Sequence, residues 1–348
     1  MKMRVDLLRV WAPVGILVLG LCSAAAQGVV AAGDGQARIS ASGWNVTGGP
    51  HGLDLRWGDQ LITTYRTADG KKPHFYPLIG PTGEGLTRGF PMDPQPDEPR
   101  DHPHHLSVFF GHRNVNGIDF WASELHTEKT RAAGMRGGEV RQVAMNGLQV
   151  GGDGVTLRVR NEWLDDHGAK FCEDARVYRL SRLANGDLTL DWDMTIRATE
   201  TDLTFADDKD GTMAFRVIPT LQVKAAKESG RPATGHILNS EGVRDADAWG
   251  KRAKWIDYFG VDRKGNPVGM AMFDHPENLR HPTWWHARDY GLCAANPFGI
   301  HHFEQKEEHT GDYTVKKGES LRFRYRLLLH RGEGDAKHLE EAWKSWAK

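Results

Sequence analysis

Between Asp101 and Trp121 the chain reads DHPHHLSVFFGHRNVNGIDFW, which sets four of its 17 histidines (His102, His104, His105 and His112) beside Asp101 and an aromatic run. Imidazoles titrate near neutral pH and can take up protons, return them or bind a metal. A single histidine is usually a satisfied core or surface group, but this density beside a carboxylate points to a site. Pro103 is expected to keep His102 extended, which would project His102 and His104 to one side and His105 to the other. His104, His105 and Asp101 are therefore candidates for acid–base work. His102-x-His104, completed by His112, His281 or His286, would form an open three-histidine site for a divalent ion such as zinc, calcium or copper.

A second island, FDHPENLRHPTWWHARDYG over Phe273 to Gly291, repeats this chemistry with His275, His281, His286, Arg280, Arg288, Asp289, Trp284 and Trp285. His104 and His286 are the candidate base and acid. Glu84 or Asp289 would orient a histidine, and Arg280 and Arg288 would hold an anionic or enolate-like oxygen. Two other stretches interrupt the regular pattern. Leu78–Asp101 carries Glu84, Arg88 and Phe90, while Phe205–Val217 carries Lys209 in DDKDGTMAFRV, a segment that alone reads as a solvated hairpin tip. Gly83 and Gly85 are followed by no GKS/T, so no nucleotide cofactor is expected.

Aromatic faces among polar groups suit a sugar, whose ring stacks on indole while its hydroxyls need converging donors and acceptors. Arg88, His112, Asn116, Trp121, Lys209, Arg280, His281, Trp284, Trp285 and Arg288 are the candidate substrate-binding residues. Core packing is an equally good reading of Trp121. Adjacent strand residues face opposite ways, so at most one of Trp284 and Trp285 need meet the ligand. Glycosidases ordinarily set two carboxylates across the bond, and no spacing here singles out such a pair. Histidine-centred hydrolysis or elimination at a glycosidic bond of a glycan or modified (keto or acidic) sugar is expected, with a mutarotase or epimerase and a non-catalytic carbohydrate-binding sandwich as alternatives.

The elements that must carry these residues are strands. Leu321–Leu327, Val155–Arg160 and Leu188–Ile196 alternate apolar and polar residues, the mark of half-buried antiparallel strands, and Gly, Asn and Asp turns bound them. Helical spacing occurs at the end, where Asp335 can cap a segment with Leu339, Trp343 and Trp346 on one face. The expected fold is all-β, a large antiparallel β-sandwich with a short C-terminal helix.

Residues 1–26 read as a signal peptide: Lys2, Arg4 and Arg9 precede an apolar run from Val10 to Leu21, and Ser23, Ala24, Ala25 and Ala26 follow. Residues 27–348 then form one domain of a periplasmic or secreted protein. Cys22 permits a lipoprotein reading, though Leu21 is bulky for a lipid-attachment box. No later stretch reaches the ~18 apolar residues of a membrane helix. The formal net charge is −1, with 45 basic and 46 acidic residues interspersed, which offers no basic face for nucleic acid. Cys172 and Cys293 either pair or are buried thiols.

The blocks DHPHH…VNGIDFW, DDKDGTMAFRV, HPENLRHPTWWHARDYG and AANPFG resemble the PmoA-like family, often labelled "methane oxygenase PmoA", over about Tyr76 to His330. A particulate methane-oxidising subunit is an integral membrane protein, and the absence of membrane helices here opposes that activity. The resemblance implies a galactose-mutarotase-like β-supersandwich and carries over no catalytic residues.

Overall fold

The computed structural model describes residues 28–31, 37–125, 136–227 and 229–348. The expected signal segment and Cys22 lie outside them. Two large antiparallel sheets dominate, one of ten strands and one of eight. In the larger sheet, seven consecutive strands from Gly28–Ala31 to Val108–His112 form a meander. Gly211–Arg216, Leu292–Asn296 and the edge strand Trp284–Ala287 continue it. The smaller sheet runs from Glu139–Gly151 through Gly154–Leu164, Lys170–Arg182, Leu188–Arg197 and Ser320–Arg331 to Pro267–Asp274, Trp255–Val261 and His236–Asn239.

The alternation read from the sequence becomes facing. Leu321, Phe323, Tyr325 and Leu327 are buried between the sheets, as are Trp192, Met194, Phe110, Met213, Phe215 and Trp285. The residues between them look outward. Each sheet buries a second, smaller cluster on its outer face. On the eight-stranded sheet, helix Ala336–Trp346 packs Leu339 against Trp255, Phe273 and Leu328. Asp335 caps that helix, its side chain accepting the amides of Lys337 and His338 at 2.9 and 3.3 Å. On the ten-stranded sheet, loops bury Phe109, Ala214, Ala294 and Leu292 beneath Leu106 and Trp121. A side chain at Gly111 would strike the Phe120 carbonyl, at 2.3 Å, so the bare backbone there lets the 113–121 loop lie on the sheet.

Cys172 and Cys293 are separate, buried free thiols, so the pairing alternative is not realised. Among the described residues no helix is long and apolar enough to cross a membrane.

Candidate functional site

Strand register puts His74, Phe109, Ala214, Ala294 and His286 in one transverse row across the outer face of the ten-stranded sheet. Ala214 and Ala294 are small, so this row has a low floor with a histidine at either end. Arg216 and Leu292 pair in the next row, and the Arg288 amide donates to the Leu292 carbonyl at 2.8 Å. The 101–106 loop and the 288–291 turn close over this second row. The parts of the two islands that carry His102–His105 and His286–Tyr290 therefore meet.

The loop is a turn rather than the expected extended segment. His102 has φ +44, and the His105 amide donates to the His102 carbonyl at 3.0 Å. Closing that turn overrides the bias of Pro103, because Arg88 donates to the carbonyls of Asp101 and His102 at 3.0 and 2.9 Å. All three histidines consequently come together instead of splitting to two sides. His102 stacks on His105 at 4.7 Å and on Tyr290 at 5.5 Å, and His104 stands edge-on to both histidines. Asp101 bonds Arg88 at 2.5 Å and Arg216 at 3.3 Å, and lies 2.8 Å from His102 Nδ1. Burial raises the Asp101 carboxyl, but His102, Arg216 and Arg88 outweigh it and hold the group well below the usual carboxylate range.

His286 is oriented from behind. Its Nδ1–H donates to the Lys209 carbonyl at 2.7 Å, which leaves Nε2 as the bare nitrogen of the neutral ring. Asp210 Oδ1 is 3.8 Å from Nδ1. Burial drives His286 down to about 4 and Asp210 opposes the shift. His104 falls to about 3, mainly by burial and then by the Lys72 and His102 charges, with Asp210 again opposing. His105 is likewise pushed well down by burial and by the neighbouring histidine and arginine charges. These three imidazoles are thus neutral at neutral pH, and one carboxylate, Asp210, acts on both His104 and His286. Asp210 is itself bonded by Arg113 at 3.1 Å.

Other candidate residues fall elsewhere. Glu84 pairs with Lys264 at 2.7 Å and orients no histidine. Asp289 offers its carbonyl to the amides of Val223 and Lys224, and no described contact joins it to a histidine. His112 is a core ring between Phe205 and Phe298, bonded to the Ala206 carbonyl at 2.8 Å. Asn116 ties the Asp202 carbonyl to the Thr204 amide. Arg280 caps the carbonyls of Pro297 and Gly311 at 2.8 and 2.7 Å. His281 bonds buried Asp274 at 2.7 Å and stacks on Trp343, under the C-terminal helix. Trp285 is core, while Trp284 faces outward but is buried between Arg252 and Glu304. Trp121 is also core, against Phe109 and His105. His112, Asn116 and Arg280 share one reason: polar side chains beside strand ends are taken up by backbone carbonyls and amides that the sheets leave unpaired.

The three-histidine metal site does not assemble. His112 is held between Phe205 and Phe298 and His281 against Asp274 and Trp343, so neither joins His102 and His104, whose ring centres are 5.7 Å apart. Among the described residues no group of three or more His, Cys, Asp or Glu is arranged to hold an ion. Two cavities, about 230 Å³ beside Lys71 and Asp165 and about 370 Å³ beside Asp187 and His330, share no lining residue with the histidine cluster. The site opens instead through its more exposed members: His102, Asp101, Lys209, Arg288 and Tyr290.

Sequence reasoning did not single out Arg216, Tyr290 and Asp210. The signal for Arg216 lies in the strand Gly211–Arg216 that follows the charged turn, where it shares a face with Ala214.

In solved structures the chain is similar to a GalM/aldose epimerase homologue from C. elegans, with 10% identity, 88% of this chain and 100% of that chain covered, and a TM-score of 0.31. It is also similar to a 4-alpha-glucanotransferase from Thermococcus litoralis, with 11% identity, 88% of this chain and 39% of that chain covered, and a TM-score of 0.25. No curated protein matches. These comparisons do not show the PmoA-like resemblance of the motif blocks. A family profile fits residues 52–344, and on that match the chain belongs to the family of unknown function DUF6807.

Proposed function

We propose that this chain is an exported carbohydrate-active enzyme, residues 27–348 acting as one unit, that cleaves a glycosidic bond by elimination. The base is His286 Nε2. It removes a proton from a sugar carbon made acidic by a neighbouring carbonyl-type group. The C–H electron pair becomes a C=C bond, and the glycosidic oxygen on the next carbon leaves with its bonding pair and takes a proton from water. The observation that carries this reading is the His286 ring, bonded through Nδ1 to the Lys209 carbonyl with Asp210 3.8 Å behind. Such backing fixes the tautomer and favours the imidazolium as the proton arrives. Elimination is preferred over hydrolysis by paired carboxylates, because Asp101 and Asp210 are each engaged by arginines.

Epimerisation is the second reading, favoured by the pairing of His104 and His286 around one carboxylate: one neutral ring removes the proton from one face of a carbon, and the other, once it has taken a proton from solvent, returns one to the opposite face. The test is to incubate protein lacking residues 1–26 with native, oxidised and acidic oligosaccharides and to follow mass and ultraviolet absorbance. Absorbance at a new chain end supports elimination. Unchanged mass with an altered epimer ratio supports the second reading. Lower mass without absorbance, or binding without turnover, contradicts both.

A further inference from the structure

The charges around Tyr290 do not balance. Arg216 is fully buried, yet its bonds are long: 3.3 Å to His105 Nδ1 and 3.3 and 3.5 Å to the Asp101 oxygens. Its buried Nε has no partner. Charge-assisted guanidinium–carboxylate bonds are typically about 2.7–2.9 Å. Asp101 cannot serve Arg216 better, because Arg88 already holds Oδ1 at 2.5 Å and His102 lies 2.8 Å from Oδ2. Arg88 is equally buried, so two enclosed guanidinium groups share one half-exposed carboxylate. A third cation, Arg288, lies 5.3 Å from the Tyr290 ring centre, on which Arg216 also rests at 4.5 Å. Arg288 has no ion pair among the described residues. Asp210 does not restore the balance, since Arg113 at 3.1 Å and Lys209 at 4.0 Å flank it.

A buried cation with an unfilled donor calls for an anion. We propose that the corner formed by Arg216, Arg288 and Tyr290 receives a carboxylate, so that the sugar taken by this site is a uronic acid unit. The proposal rests on the proton-abstraction reading above and deepens it. A carboxylate held by Arg288 over the buried Arg216 charge is drained of charge, which acidifies the hydrogen on the adjoining carbon. Burial and the Arg88 charge also lower Arg216, to about 10, with Asp101 opposing, a shift that a bound anion would reverse.

The test needs no known substrate. D-galacturonate and D-glucuronate, their methyl esters and D-glucose are titrated calorimetrically against wild-type protein, Arg216→Lys and the half-exposed Arg288→Gln. The expected result is that the acids bind wild type at least tenfold more tightly than the esters or glucose, and that Arg288→Gln loses most of that preference. Acids that bind no better than their esters, acids that do not bind, or a preference unchanged in Arg288→Gln overturns the proposal. The underlying reading fails differently. A neutral keto-sugar turned over with dependence on His286 would sink the uronate proposal alone, and uronate binding without any proton exchange would sink the chemistry alone.

Discussion

His286 and Asp210 stand 3.8 Å apart, Nδ1 to Oδ1, between the edge strand Trp284–Ala287 and the loop that enters Gly211–Arg216, two strands further into the sheet. The Lys209 carbonyl takes the ring proton, and the carboxylate faces the charge that would form when Nε2 accepts a second one. Asp210→Asn should therefore leave the fold intact and slow turnover by at least about tenfold, with KM moving little. Circular dichroism and steady-state kinetics check this. An unchanged kcat contradicts it.

The pH profile should carry the same signature. Burial lowers His286 to about 4, so its neutral, proton-accepting form persists well below the ordinary histidine value of about 6.5. Turnover should hold through mildly acidic pH and fall on an acid limb near pH 4. An acid limb at the ordinary histidine value would mean that another group is the base.

Asp101 should contribute stability with the opposite sign of pH dependence to a histidine. Its folded pKa is depressed, so the contribution is present above the unfolded carboxylate value and is lost as pH falls through the folded one. Because the side chain is 40% exposed, Asp101→Asn should cost only about 1–3 kcal/mol at neutral pH, through the two guanidinium groups left behind. Denaturant unfolding of both proteins at neutral and strongly acidic pH should show the gap closing on the acid side.

His330 supplies the contrasting case. Burial opposes its charge, but Asp257, 3.2 Å away, raises its pKa. Its stabilisation is complete below the unfolded histidine value of about 6.5 and is lost as pH rises through the folded one. The advantage of wild type over Asp257→Asn should thus shrink as pH is raised above neutrality.

Much of the architecture could be read from period-two alternation, because one face of each long strand meets the core. Leu321 to Leu327 and Leu188 to Ile196 pair as adjacent strands of one sheet. The C-terminal helix was legible from its cap and stripe. The site was only half legible. Residue type announced both islands, and their His102–His105 and His286–Tyr290 segments do meet. Type alone could not separate His286, which faces outward beside Ala294, from His281, which is spent on Asp274 beneath a helix more than fifty positions away in sequence. Nor could it foresee that Arg88 would fold the 101–105 loop into a turn. Both depend on contacts distant in sequence, to which local spacing is blind. Trp285 shows the same limit. It was read as a ligand contact but is fully buried, so Trp285→Ala should cost about 3–5 kcal/mol of folding stability, measured by denaturant unfolding.

The central claim is that His286 removes a carbon-bound proton from a sugar. It is tested most directly by incubating wild-type protein and His286→Gln with uronate oligosaccharides in deuterated water, following the sugar by NMR and mass. The account predicts that wild type forms an unsaturated chain end or, on the second reading, exchanges one carbon-bound hydrogen for deuterium, and that His286→Gln does neither while retaining its fold. Cleavage to saturated products with no carbon-bound deuterium, continuing undiminished in His286→Gln, would contradict it.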